Sequence, residues 1–182
     1  DYEQFNRFDP LISCQLGFHA EYTGSVPMLD YIADAARRYH APVFSHNSET
    51  RSEVAGCIER HGMTPTVLFE SRGVFAYGGG GFHCTYMTDE DIDIFVRRGL
   101  WAVSNPAANL KLASGIAPLT RMKQAGVNLA LGTDGAAGNN ALDLFREMFL
   151  AAALQKVAED DASAFPAASV LEMAAVGSAR AM

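Results

Sequence analysis

The sequence predicts an α/β fold organised around a parallel β-sheet. Short apolar runs alternate with amphipathic stretches from one end of the chain to the other, as repeated β/α units require. Helix-opening and helix-closing residues bracket the amphipathic stretches, and ionisable side chains recur at the C-terminal ends of the apolar runs.

Taken in order, the strand candidates are Leu11 to Phe18, Pro42 to His46, Gly80 to Cys84, Leu100 to Ser104 and Val127 to Thr133. Between them, Ser25 and Pro27 open a helix with Leu29, Ile32, Ala33 and Ala36 on one face. Thr64-Pro65 and Gly73 bracket a shorter helix, and Thr88 with Asp91 forms a capping box before Ile92, Phe95 and Val96. Three- and four-residue steps through Leu142, Phe145, Met148, Phe149 and Ala152 predict a helix over Asn140 to Lys156 whose apolar stripe packs on the sheet. The acidic run Glu159-Asp160-Asp161 reads as a solvated loop before a last helix starting near Pro166.

Side chains alternate faces along a strand, which puts Ala130, Gly132 and Asp134 together, Gly81 with His83, and Phe44 with His46. His19 stands just beyond the first strand. The polar groups therefore gather at the carboxyl ends of the strands, where both α/β barrels and open sheets place their sites.

Composition narrows the class of function. The 182 residues are 49% hydrophobic and 19% charged, the range of a folded domain rather than a disordered segment. A net charge of -7 argues against the basic face of a nucleic-acid binder, so small-molecule or protein partners are expected. No run reaches the ~20 apolar residues that span a bilayer, and Asp1-Tyr2-Glu3-Gln4 lacks a signal-peptide pattern. A cytoplasmic location without membrane partners is the expectation. Cys14, Cys57 and Cys84 form no C-x-x-C pair and read as reduced, partly buried thiols.

Three loops carry candidate chemistry. His46-Asn47-Ser48-Glu49 sets an imidazole at a strand end and a carboxylate three residues on, which suits a metal ligand beside a general acid/base. The plain alternative has His46 hydrogen-bonded in the core and Glu49 capping a helix. In Gly132-Thr133-Asp134-Gly135-Ala136-Ala137-Gly138-Asn139-Asn140 small residues give open access to Asp134, unless that carboxylate only caps a tight turn. A phosphate loop is disfavoured, because neither Gly-Lys-Ser/Thr nor G-x-G-x-x-G occurs there. Asn105-Pro106-Ala107-Ala108-Asn109 offers two amides to a ligand or, alternatively, to its own turn. His40 and His61 are expected at helix ends or on the surface.

Four strings, Phe44-Ser-His-Asn-Ser-Glu-Thr50, Phe82-His-Cys84, Asn105-Pro-Ala-Ala-Asn-Leu-Lys-Leu-Ala-Ser-Gly-Ile-Ala-Pro118 and Gly132-Thr-Asp-Gly-Ala-Ala-Gly-Asn-Asn140, together resemble the amidohydrolase superfamily. The likeness runs from about His19 to the chain end and is strongest to its adenosine-derivative deaminases, near the chlorohydrolases and guanine deaminases. It implies a distorted (β/α)8, TIM-like barrel, of which this chain supplies strands four to eight. It also implies one divalent metal, zinc or alternatively iron, held by His46 and Asp134. Asp134 would also take a proton from the activated water, Glu49 would shuttle protons and touch substrate, and His83 would polarise the water or the developing oxyanion. His19, Asn105 and Asn109 would face a heterocyclic substrate.

The sequence also departs from that pattern. No H-x-H, the family's first pair of metal ligands, occurs among its histidines. Ser104 stands where many relatives have His, and Ala108 and Gly138 where Ser is common. The chain begins without Met and stops at Met182 in an apolar stretch. Residues 1–182 are thus expected to be the C-terminal part of a catalytic barrel, lacking the first strands and the β-sandwich. The leading expectation is hydrolytic deamination of a purine-like heterocycle. Triazine dechlorination or cyclic-amide hydrolysis is the alternative within catalysis. A catalytically incomplete chain that holds no metal and self-associates through open strand edges is the other.

Overall fold

In the computed structural model, which describes residues 2–182, the predicted parallel sheet is present. Its strands are β1 (Leu16–Gly17), β2 (Val43–Asn47), β3 (Gly79–His83), β4 (Trp101–Ser104) and β5 (Asn128–Leu131). Each pairs in parallel with the next in sequence, giving the spatial order β1-β2-β3-β4-β5. A doubly wound sheet reverses its strand order at a switch point, whereas this monotonic order is that of a barrel wall.

The helices are α1 (Tyr2–Phe5), α2 (Val26–Tyr39), α3 (Arg51–His61), α4 (Pro65–Ser71), α5 (Asp89–Arg98), α6 (Pro106–Lys111), α7 (Leu119–Ala125), α8 (Ala136–Asn139), α9 (Leu144–Ala158), α10 (Ala167–Glu172) and α11 (Ser178–Ala181). Local signals set their ends. Thr50 accepts from the Glu53 amide and Thr88 from the Asp91 amide, both as capping boxes. Left-handed Gly62 and Gly99 close α3 and α5.

One apolar core lies between sheet and helices, built on Val43, Ala102 and Leu131 from the strands and Leu29, Phe69, Phe75, Phe95 and Met122 from the surrounding segments. Edge-to-face contacts run from Phe69 to Phe75 to Phe95 with centroids 6.0 and 6.3 Å apart. Phe44, Val103 and Ala130 form a second cluster with Phe82 on the opposite, inner face. The sheet is thus apolar on both sides, as in a barrel wall.

Two expectations are corrected. The first strand is not Leu11 to Phe18 but the two residues Leu16–Gly17, and Leu11 is 95% exposed. Its ladder is only Leu16 to Val43 and Gly17 to Phe44, too short to extend the run. The helix predicted from Asn140 begins at Leu144, because Asn140 and Leu142 have positive φ and Asp143 caps the Phe145 and Arg146 amides. Its buried line is Glu147, Ala151 and Gln155, whereas Phe145 and Phe149 face outward at 83% and 70% exposure. Polar contacts select that face. Gln155 donates to the Ala117 carbonyl and accepts from Thr120, and Glu147 accepts from the Ala107 amide.

At the chain end, Ser178 donates to the Leu131 carbonyl and accepts from its amide, covering part of the β5 edge. Gly177 permits this docking, since a Cβ there would lie 2.1 Å from the Leu129 carbonyl oxygen. No helix among the described residues is long and apolar enough to cross a membrane.

Candidate active site

The C-terminal ends of the strands bring His46, His83 and Asp134 together. Each offers one ligand atom, and these atoms lie within 4.8 Å of one another. A cavity of about 220 Å³ beside them is lined by His46, Phe82, Val103, Asn105, Gly132 and Asp134. A second cavity, of about 160 Å³, includes Trp101 and Asn128 at the strands' opposite ends and is remote from the histidines.

His46 closes β2 toward its C-terminus. Its Nδ1 lies 2.7 Å from the His19 carbonyl oxygen, which can only accept, so this nitrogen carries the proton and Nε2 keeps its lone pair. The same carbonyl accepts from the His46 amide at 2.9 Å and from Ser45 Oγ at 3.1 Å. The segment after β1 is thereby tied to β2, and the His19 and His46 rings stand 4.6 Å apart. The exposed His19 ring also meets the Tyr22 hydroxyl at 3.4 Å.

Strict alternation along β3 would send His83 to the face opposite Phe82. The His83 backbone instead turns left-handed at φ 68°, and its ring stacks on His46 with centroids 5.2 Å apart. Its Nδ1 lies 2.7 Å from Asn109 Oδ1 and donates to it, leaving Nε2 free. Burial pushes the His83 imidazole below its ordinary value, opposed by Glu49 and by the Asn109 hydrogen bond. Ser48 and Asp134 are left-handed as well, at φ 52° and 61°. Such non-glycine conformations cost ~1–3 kcal/mol each and concentrate at functional sites.

The Asp134 carboxylate is not spent on closing its turn. Asn139 does that, donating to the Thr133 carbonyl at 2.6 Å and accepting from the Ala141 and Leu142 amides at 3.3 Å. Lys111 secures the same loop through the Ala137 carbonyl and Asn140 Oδ1. Gly138 clears space for the carboxylate, since a Cβ there would lie 2.5 Å from Asp134 Oδ2.

Glu49 is likewise free of capping. Glu53 takes that task, accepting from the Ser48, Glu49 and Thr50 amides, while burial raises its carboxyl above the usual range. Glu49 Oε1 accepts from Ser114 Oγ at 2.9 Å, and Oε2 lies 3.8 Å from His83 Nε2. Glu53 was legible in the sequence as the far member of the Thr50 capping box. Ser114 had no local signal.

Of the other sequence candidates, Asn105 lines the cavity. Asn109 is 2% exposed, and its amide oxygen accepts from His83 Nδ1, so it supports that ring. His61 ends α3 and pairs with the buried Glu21, and His40 stacks on Tyr77.

Two imidazoles and a carboxylate are a donor set suited to zinc or iron. The orientation fits as well as the composition. Both rings present Nε2 while Nδ1 donates to an oxygen, the outer arrangement that fixes ligating histidines.

Known proteins resemble this chain in sequence and in fold. The amidohydrolase family's sequence profile matches residues 3–182. The 5-methylthioadenosine/S-adenosylhomocysteine deaminase of Desulforudis audaxviator is 44% identical over 93% of this chain and 39% of its own. The 5'-deoxyadenosine deaminase of Methanothermobacter thermautotrophicus is 42% identical over 96% of this chain and 41% of its own. A crystal structure of an adenosine deaminase from Xanthomonas campestris with bound zinc superimposes with a TM-score of 0.92 at 38% identity, covering 99% of this chain and 41% of that one.

The chain belongs to the amidohydrolase family. It spans about two fifths of the length of these relatives, and its sheet is a portion of their barrel.

Proposed function

We propose that this chain is the C-terminal part of an amidohydrolase that hydrolytically deaminates an adenosine derivative or a related purine-like heterocycle. The convergence of His46, His83 and Asp134 beside Glu49 carries this reading. The 44% identity to a methylthioadenosine/adenosylhomocysteine deaminase supports the substrate class.

A divalent metal, when bound, lowers the pKa of its water to about 7 and so supplies hydroxide at neutral pH. His46 and His83 would hold the metal through Nε2, with the carboxylate of Asp134 as the third donor. Asp134 also accepts the water's proton. Glu49, steadied by Ser114, passes on the water's two protons, one of them by way of Asp134, first to a ring nitrogen and then to the leaving amine, so ammonia departs neutral. Asn105, on the cavity wall, and the exposed His19 are the substrate-facing side chains.

The test is ammonia release by the full-length protein from a panel of adenosine derivatives, guanine and triazines. Turnover on an adenosine derivative is the expected result. Chloride or a ring-opened acid without ammonia would overturn the deaminase reading. A full-length protein that binds a divalent metal equally well with His46 or Asp134 replaced by Ala would overturn the proposed ligand set.

A further inference from the structure

We infer that Glu147 is a positioning residue that sets His83 and Asp134 relative to one another. It lies on α9, touches neither group and is 0% exposed. Its two carboxylate oxygens serve two different loops. Oε2 accepts from the Ala107 amide at 2.8 Å, and Oε1 accepts from Asn139 Nδ2 at 2.7 Å.

Each contact leads to one candidate ligand. Ala107 lies in the first turn of α6, the same short helix that carries Asn109, whose Oδ1 holds His83 Nδ1 at 2.7 Å. Asn139 Nδ2 donates at 2.6 Å to the Thr133 carbonyl, which belongs to the peptide unit joined to Asp134. Two bridges therefore diverge from one carboxylate and end at two groups of the site.

A helix that needed only to pack on the sheet would present an apolar side chain here, because a buried carboxylate is costly to desolvate. Glu147 is retained with its oxygens divided between donors on α6 and α8, with the Arg146 guanidinium 3.8 Å from Oε1 to offset the charge. Capping the Ala107 amide alone would need one oxygen. The second oxygen connects that helix to the Asp134 loop, which makes the pair of loops one rigid unit.

This inference rests on the metal-site reading, and the experiment separates the two. The full-length protein is loaded with Co²⁺, whose visible bands report ligand geometry, and affinity is measured by chelator competition. A wild-type spectrum insensitive to both His83→Ala and Asp134→Ala would overturn the site reading and this inference with it. Given a spectrum that depends on both, Glu147→Gln is expected to fold but to show altered bands and about tenfold or more weaker Co²⁺ binding. The amide presents one acceptor oxygen and so cannot serve both loops. If Glu147→Gln does not fold, Glu147→Met, which removes both bridges while leaving no buried charge and keeping the Asn139 turn contacts, decides the matter by the same bands and affinity. Folded variants with wild-type bands and affinity, differing only in melting temperature, would reduce Glu147 to a structural role and overturn the inference.

Discussion

Ser114 Oγ donates to Glu49 Oε1 at 2.9 Å across 65 residues of sequence. Ser114 is 2% exposed, so its hydroxyl is held rather than free to rotate toward solvent, and it fixes one oxygen of the proposed proton shuttle. Ser114→Ala in the full-length enzyme is expected to lower kcat about tenfold with little change in KM, because orientation of an acid/base group acts on the chemical step. Ser114→Thr, which keeps the hydroxyl, should recover most of the loss. Steady-state kinetics on the best substrate checks both, and an unchanged kcat in the alanine variant would remove Ser114 from the site.

The cluster of His46, His83 and Asp134 predicts metal dependence. Dialysis against a strong chelator should abolish turnover, and one equivalent of zinc should restore it. His46→Ala should leave the protein folded with metal content well below one equivalent by elemental analysis. Full metal content and activity in that variant would be incompatible with the ligand set.

The three thiols should differ sharply in reactivity. Cys57 is buried and its thiol is pushed up to about 12, chiefly by desolvation and then by Glu21, and complete burial raises Cys84 further. A raised thiol pKa means that both stay protonated and unreactive at pH 8, and Cys57 gains reactivity only as pH approaches 12. Cys14 is only partly buried. Peptide mapping after brief alkylation at pH 8 should find the label on Cys14, with Cys57 and Cys84 modified only after denaturation.

Glu21 clamps the segment that carries His19. It is 3% exposed and accepts from Arg60 Nε at 3.2 Å and from His61 Nε2 at 3.1 Å, joining the turn after β1 to the end of α3. Arg60 is 45% exposed and therefore partly screened, so Glu21→Ala should cost about 1–2 kcal/mol in a denaturant titration. The variant should also raise KM, since the His19 loop loses its anchor. A loss of stability without any change in KM would separate the clamp from substrate contact.

Much of the fold was legible locally. Thr50 with Glu53, Thr88 with Asp91 and the closing Gly62 and Gly99 mark their helices in the sequence and in the structure alike. The first strand was overread because apolar content at Leu11 and Ile12 says nothing about whether a neighbour exists to pair with. Of the apolar stripe on the helix from Leu144, Met148 and Ala152 do pack on the core, but Phe145 and Phe149 face outward, because spacing counts apolar residues. Glu147 and Gln155 are instead turned inward by hydrogen-bond partners about forty residues away in the chain.

By itself the sequence determined the order of strands and helices and the placement of His46, Glu49 and Asp134 after strands, because periodicity and capping act within a few residues. Only the tertiary structure decided how the His83 ring reaches them. Its left-handed backbone breaks the alternation that the sequence implies, and its ring is fixed by Asn109, 26 residues on. Tertiary structure likewise gave Glu49 its partner in Ser114 and Asp134 its tie to Glu147. Which loops meet above a sheet depends on how strands stack and how helices return to them, and no local pattern encodes that distance.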